Sequence, residues 1–208
     1  MKILLTAGPT REPIDSVRYL GNRSSGQMGA AIASNAIDEG HDVTLICGPV
    51  TATMPAVGKR IDIETAQDLH DAVIVEFPKH DLLIMTAAVA DYRPARVHSL
   101  KLPRHESMTL ELVATPDILA EVGAMKRPDQ RTVGFSLEMA GNIHRSREKL
   151  SRKKLDLIVY NPTETMNSAL VEAVLLYPDG REERADEMSK SDFAKLLLAR
   201  SMELFGSK

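Results

Sequence analysis

MKILLTAGPTREPIDSVRYLGNRSSGQMGAAIASNAIDEGHDVTLIC, residues 1–47, carries an aliphatic run, a long polar loop, an amphipathic stretch and a second aliphatic run. Lys2–Thr6 predicts a buried strand, Gly26–Glu39 a helix and Asp42–Ile46 a second strand. Two strands joined through a helix pair in parallel, because only a long crossover can return the chain to the same sheet edge. The alternation continues outward. Asp81–Thr86, Thr132–Phe135 and Leu155–Val159 read as strands, and Ala66–Glu76, Pro116–Lys126 and Gly141–Lys153 as helices. Thr115, Pro116 and Asp117 form a helix start, with a capping hydroxyl, a proline at the first helical position and an acid in the first turn. The fold class is α/β, a Rossmann-like three-layer fold with a mostly parallel sheet.

Two segments break the rhythm. Ala90–Thr109, with Pro94 and Pro103 and the basic residues Arg96, Lys101 and Arg104, is an excursion arm from the sheet edge at about 90–109. Ala173–Tyr177 runs into Pro178, Asp179 and Gly180, so the sheet ends in an antiparallel C-terminal hairpin. Ser189, with Asp192 three residues on, opens a last helix to about Leu204. No repeat or linker interrupts residues 1–208, which read as a single domain.

The 208 residues are 43% hydrophobic and 26% charged, with 26 Lys+Arg against 29 Asp+Glu. That composition excludes disorder and coiled coil. Cys47 alone permits neither a disulfide nor a cysteine metal cluster and reads as buried filler; His41, His70, His80 and His144 read as surface or helix-end residues. The apolar runs are far shorter than the ~20 residues of a membrane span, and Ile3–Leu5 is too short for a secretory signal. Cytoplasmic localisation, no membrane and no nucleic acid are the expectations, the last because a net charge of −3, four Phe, four Tyr and no Trp offer neither attraction nor stacking surface.

The chemistry should sit where the first strand hands over to its helix. There Ser24, Ser25 and Gly26 would present hydroxyls and unpaired amides at a positive helix end, an anion site. A capping role for the two serines explains the same residues. The loop from Gly8 to Ser25 also carries Arg11, Glu12, Asp15, Arg18, Asn22 and Arg23. A nicotinamide site requires G-x-G-x-x-G after the first strand and a ribose-binding acid after the second. Gly8-Pro9-Thr10 and Cys47-Gly48-Pro49 stand there instead. Gly21–Gly26 has P-loop glycine spacing, but Gln27 and Met28 replace the Lys and Ser/Thr. Ser-elbow and zinc-helix motifs are missing too.

TAGPTREPID, VRYLGNRSSGQMG, TAAVADYR, TPDIL, VGF and KKLDLIVYN, in this order, resemble the phosphopantothenate–cysteine ligases of coenzyme A biosynthesis, the synthetase half of a bacterial bifunctional flavoprotein. The resemblance spans nearly the whole chain, here read as a stand-alone ligase because strand one starts at residue 2. It implies that the carboxylate of 4′-phosphopantothenate attacks the α-phosphate of CTP and that L-cysteine then displaces CMP. Asn22 would hold the acyl-cytidylate, Arg18 would assist, and Lys101 would neutralise charge in the transition state. Met85, Thr86 and Ala87 would wall the nucleotide pocket and Asp91 would face ribose or Mg²⁺. Pro116, Asp117, Ile118 and Leu119 would supply a second helix N-terminus, Phe135 an apolar contact, and Lys149 and Lys153 phosphate partners. A homodimer is implied as well.

Each assignment has a plainer counterpart: a solvated loop charge for Lys101, a solvated helix face for Lys149 and Lys153, a helix start for Asp117. Leu102-Pro103-Arg104, Glu138-Met139 and residues 169–172 depart from the family pattern. These departures bear on closure over substrate and on the choice of CTP or ATP. They also keep a non-catalytic nucleotide-binding regulatory homologue as an alternative. An NAD(P)-dependent oxidoreductase or epimerase lacks its Tyr-x-x-x-Lys, since Tyr92 is followed by Arg96 and Tyr160 by Glu164.

Overall fold

The computed structural model describes residues 1–163 and 170–206. In chain order the elements are β1 (Lys2–Ala7), β2 (Arg11–Pro13), β3 (Tyr19–Gly21), α1 (Gln27–Asp38), β4 (Asp42–Cys47), β5 (Lys59–Asp62), α2 (Ala66–Glu76), β6 (Leu82–Met85), β7 (Tyr92–Pro94) and β8 (Leu112–Ala114). They continue with α3 (Ile118–Met125), β9 (Arg131–Glu138), α4 (Ile143–Arg152), β10 (Leu157–Pro162), β11 (Leu170–Leu176), β12 (Glu182–Ser189) and α5 (Lys190–Glu203).

Successive side chains of a strand face opposite ways, so a strand apolar throughout must be covered on both sides. In β1, Ile3, Leu5 and Ala7 enter one apolar layer with Ile32, Ala33 and Ala36 of α1 and Phe193 and Leu197 of α5. Leu4 enters the other, with Leu69 and Val73 of α2, Val122 of α3 and Leu150 of α4. These two layers and the sheet between them are the three-layer fold.

The sheet runs β12-β11-β10-β9-β6-β1-β4-β5. β1 is central and parallel to both neighbours, with Leu5 opposite Leu45 on one side and Ile84 on the other. The chain leaves β1 outward through β4 and β5, then returns across β1 to β6 and runs outward the opposite way. That reversal leaves a crevice beyond the carboxyl ends of β1 and β6. β11 and β12 pair antiparallel around the Pro178–Gly180 turn, as expected, with Gly180 at φ 90°.

The structure adds strands and moves helix starts. β2 and β3 form an antiparallel hairpin inside the long first loop, and β5 extends the sheet edge; their three or four residues are too short to leave a period in the sequence. α3 starts at Ile118 with Asp117, not Thr115, as its cap, accepting from the Ala120 amide. Thr115 is occupied elsewhere, its hydroxyl donating to the Ala90 carbonyl at 2.6 Å. Ser189 does cap α5, accepting from the Asp192 amide at 3.1 Å. The arm leaves and rejoins the body through an antiparallel pair, β7 with β8. Cys47 is buried, and His80 sits at a helix end but buried, its Nδ1 2.7 Å from the Glu76 carbonyl. Glu164 and Ala169 lie outside the described residues. Among the described residues no helix is long and apolar enough to cross a membrane.

Candidate functional site

The crevice at the switch between β1 and β6 has a volume of about 930 Å³, within the ~300–1,000 Å³ range of small-molecule sites. Its floor is backbone held by threonines. Thr6 follows the aliphatic run of β1, and its carbonyl accepts both the amide and the hydroxyl of Thr86, at 3.2 and 2.6 Å. The Thr6 hydroxyl accepts from the Ala87 amide at 3.2 Å, and that of Thr10 from the Ala90 amide at 3.0 Å. The loops after β1 and β6 therefore run side by side beyond the sheet. Met85, Thr86, Ala87 and Asp91 line the crevice from this ledge.

α1 points its N-terminus into the same space, with Ser24, Ser25 and Gly26 in the lining. The cap is Gly26 at φ 82°, with no side-chain cap; the Ser24 and Ser25 hydroxyls lie 3.3 and 3.5 Å from the amides of Gly26 and Gln27. Glycine is required twice here. Gly26 has left-handed backbone and a Cβ on it would lie 2.9 Å from Met54 Cε, while a Cβ on Gly29 would overlap Ala7 and approach Thr86 Oγ1 to 3.1 Å. α1 thus lies close on β1, with its first-turn amides, which have no carbonyl four residues back, at the crevice rim.

The opposite wall comes from α3, β9 and α4: Pro116, Asp117, Ile118, Leu119, Phe135, Lys149 and Lys153 all line it. The two lysines, four residues apart, are already paired. Lys149 Nζ is 2.6 Å from Glu138 Oε1, and Lys153 Nζ is 2.7 Å from Asp117 Oδ1. Burial raises both carboxyls, and the neighbouring lysines outweigh it, holding Glu138 and Asp117 below the usual carboxylate range. Any anion arriving at this wall would have to share these cations with the carboxylates.

Asn22 lines the crevice with its Nδ2 donating to the Val89 carbonyl at 2.9 Å, which leaves its Oδ1 and second N–H available. Arg18 and Lys101 do not line it. The Arg18 guanidinium turns to the Asp15 carboxylate and the Leu102 carbonyl, and Lys101 is exposed on the arm. The first loop's polarity is largely internal. Arg11 stacks 4.5 Å over Tyr19, buried Glu12 accepts from the Ala66 amide at 2.8 Å and so caps α2, and Asp15 is buried against Arg18; Asn22 and Arg23 reach the crevice, beside Ser24 and Ser25. Conversely Arg152, Ser136, Asn161 and Lys190 line it. Asn161 stands near the carboxyl end of β10, where the strand-end rule points. The others had no motif to mark them.

Among the described residues no three His, Cys, Asp or Glu come together as a metal cage. Asp91, an exposed carboxylate at the rim, suits a hard cation that arrives on a polyphosphate and keeps its waters.

Residues 1–204 match the DNA/pantothenate metabolism flavoprotein C-terminal domain. The coenzyme A biosynthesis bifunctional protein CoaBC of Vibrio vulnificus (strain YJ016) is 41% identical over 211 residues, covering 98% of this chain and 52% of that protein. The CoaBC of Escherichia coli (strain K12) is 42% identical over 188 residues, 86% of this chain and 46% of that protein. The chain thus spans about half the length of the curated relatives it matches. A crystal structure of the C-terminal domain of CoaBC shares the fold with a TM-score of 0.85 at 37% identity, covering 99% of this chain and 96% of the other. A Cab2 mutant in complex with phosphopantothenate-cysteine shares the fold at a TM-score of 0.81 and 17% identity, covering 99% and 87%.

Proposed function

The chain belongs to the family of the DNA/pantothenate metabolism flavoprotein C-terminal domain, and from that membership and the crevice we propose that it is a ligase of coenzyme A biosynthesis joining 4′-phosphopantothenate to L-cysteine at the expense of CTP. The observation that carries the reading is the crevice itself, where a helix N-terminus faces an apolar shelf and paired cations across a space large enough for a nucleotide beside an acid.

In the first step a carboxylate oxygen of 4′-phosphopantothenate attacks the α-phosphorus of CTP, a P–O bond forms, and the bond to the β-phosphate breaks to release pyrophosphate. Met85, Thr86, Ala87 and Phe135 bound the base and sugar. Ser24, Ser25 and the α1 amides face the phosphates, with Lys149 and Lys153 opposite. Lys101 offsets the negative charge that grows on the phosphoryl oxygens, the kind of interaction that lowers a phosphoryl-transfer barrier. Asp91 would hold Mg²⁺, which would supply further neutralisation of the phosphate charge. In the second step Asn22 keeps the mixed anhydride at the ledge. The cysteine amine attacks the acyl carbon, an amide bond forms, CMP leaves with the anhydride oxygen, and the amine gives up a proton. Arg18 assists from the hairpin.

Purified protein should release pyrophosphate and CMP only when phosphopantothenate, cysteine, Mg²⁺ and CTP are present together. Competition between CTP and ATP in the same assay identifies the nucleotide. Folded protein that binds nucleotide but releases no pyrophosphate would instead be a regulatory homologue, and hydride transfer from a nicotinamide would mark an oxidoreductase. The homodimer, to which the arm would contribute, is tested by sedimentation.

A further inference from the structure

Asp15 sits at the turn between β2 and β3 with its side chain fully buried, and its two oxygens do different jobs. Oδ1 accepts from the amides of Val17 and Arg18, both at 2.9 Å, which closes the turn of the hairpin. Oδ2 accepts from Arg18 Nε at 2.9 Å, from Arg18 Nη2, and from the amide of Leu102, eighty-seven residues away, at 3.1 Å. The same Arg18 Nη2 donates to the Leu102 carbonyl at 3.1 Å. Both backbone polar groups of one arm residue are therefore held by a single ion pair, buried on its carboxylate side and partly exposed on its guanidinium side. The same turn grips the arm a second time, the His98 amide donating to the Ile14 carbonyl at 3.0 Å.

Residues 96–110 of the arm carry no strand or helix, and Leu100, at 78% exposure, shows how little packing restrains it. Lys101 stands next to the clasped residue, between the two tethers. A cation on a free loop of this length must be collected from many positions each time it acts; one residue from a fixed peptide, it searches only the volume its own side chain sweeps. We propose that Asp15 is a positioning residue for the reaction, clasping the Leu102 peptide together with Arg18 so that Lys101 is delivered to the crevice. The inference rests on the ligase reading of Lys101. It also gives Arg18 a second task, holding the arm as well as assisting the second step.

The split between the two oxygens supplies the test. Asp15→Asn retains one acceptor oxygen, which the two turn amides claim, and sets an NH₂ donor against the Leu102 N–H and the Arg18 guanidinium. The hairpin survives and the clasp does not. Amide exchange at Leu102, followed by NMR on the intact chain, should accelerate about tenfold or more. The kcat for pyrophosphate release should fall about 10- to 100-fold, with the nucleotide KM within about twofold of wild type. Unchanged exchange, or faster exchange with unchanged kcat, overturns the proposal. Should Asp15→Asn lose its fold, Asp15→Ser, whose hydroxyl can still serve the turn, is read the same way. The wild-type assay is run first: no pyrophosphate there sinks the ligase reading and the positioning role together, whereas an active wild type with an indifferent Asp15→Asn sinks the positioning role alone.

Discussion

The crevice floor and the arm are built by opposite means. The floor is the extension of two central parallel strands, stitched by Thr6, Thr10, Thr86 and Thr115 and packed so closely that Gly29 has no room for a Cβ. The arm leaves through a three-residue strand pair, is solvent-exposed over most of its length, and touches the body through the clasp at Asp15 and the tether at Ile14. On the proposed reading, the closely packed floor would orient the nucleotide and the tethered arm would bring charge once the acid is in place. Positioning and charge neutralisation are thereby assigned to separate parts, which makes them separable by substitution.

The largest effect should come from the arm. Lys101→Ala should reduce pyrophosphate release about 10²- to 10³-fold, as loss of one transition-state partner does, while nucleotide affinity measured by calorimetry and the melting temperature stay at wild-type values. A matching loss of affinity would mean that the arm is part of the binding site and would dissolve the contrast. Asn22→Asp comes next, at the edge of the floor. An Asp has no N–H for the Val89 carbonyl and places a like charge beside the anhydride, so pyrophosphate release should persist while amide formation slows about 10²-fold. Chromatography should show the acyl-nucleotide accumulating; normal product formation removes Asn22 from the second step. Gly29→Val strikes the floor directly. Overpacking against Ala7 and Thr86 should cost about 1–3 kcal/mol of stability in denaturant titration, with weaker nucleotide binding, whereas the arm's amide exchange should be unaltered.

This same contrast explains what could be read from the chain. The floor was legible because buried parallel strands are aliphatic throughout and their helices amphipathic: Lys2–Thr6 and Asp42–Ile46 differ from the observed strands by one residue, and Ala66–Glu76 coincides with α2. The wall residues Phe135, Lys149 and Lys153 followed only from family motifs, and their ion pairs to Glu138 and Asp117 join residues 11 and 36 apart, which no local pattern encodes. The first loop misled in a specific way. Arg11, Glu12 and Asp15 looked like ligand-facing polarity, yet Glu12 and Asp15 are buried and serve a helix cap and the arm clasp, contacts 54 and 87 residues away in the chain. A buried carboxylate and an exposed one have the same letter, and only the partner distinguishes them.

The smallest expected effect lies beneath the floor. His70 on α2 stands between Asp71 and Glu121, its Nδ1 2.9 Å from one carboxylate and its Nε2 2.8 Å from the other, and so ties α2 to α3, whose N-terminus forms the crevice wall. Asp71 first and Glu121 second favour the imidazolium and raise the His70 pKa above its ordinary value. A group with a raised folded-state pKa stabilises fully below its unfolded pKa, about 6.5, and that contribution fades as pH climbs through the higher folded value. His70→Gln should therefore reduce the stability measured in denaturant titration most at pH 5–6 and least at pH 9, by less than about 1 kcal/mol because both carboxylates are largely exposed. Nucleotide affinity should not follow this pH dependence if the floor is as rigid as its packing implies. An affinity that tracks the His70 titration would show that the α3 wall moves with α2, and the division between a fixed floor and a delivered cation would have to be redrawn around that helix.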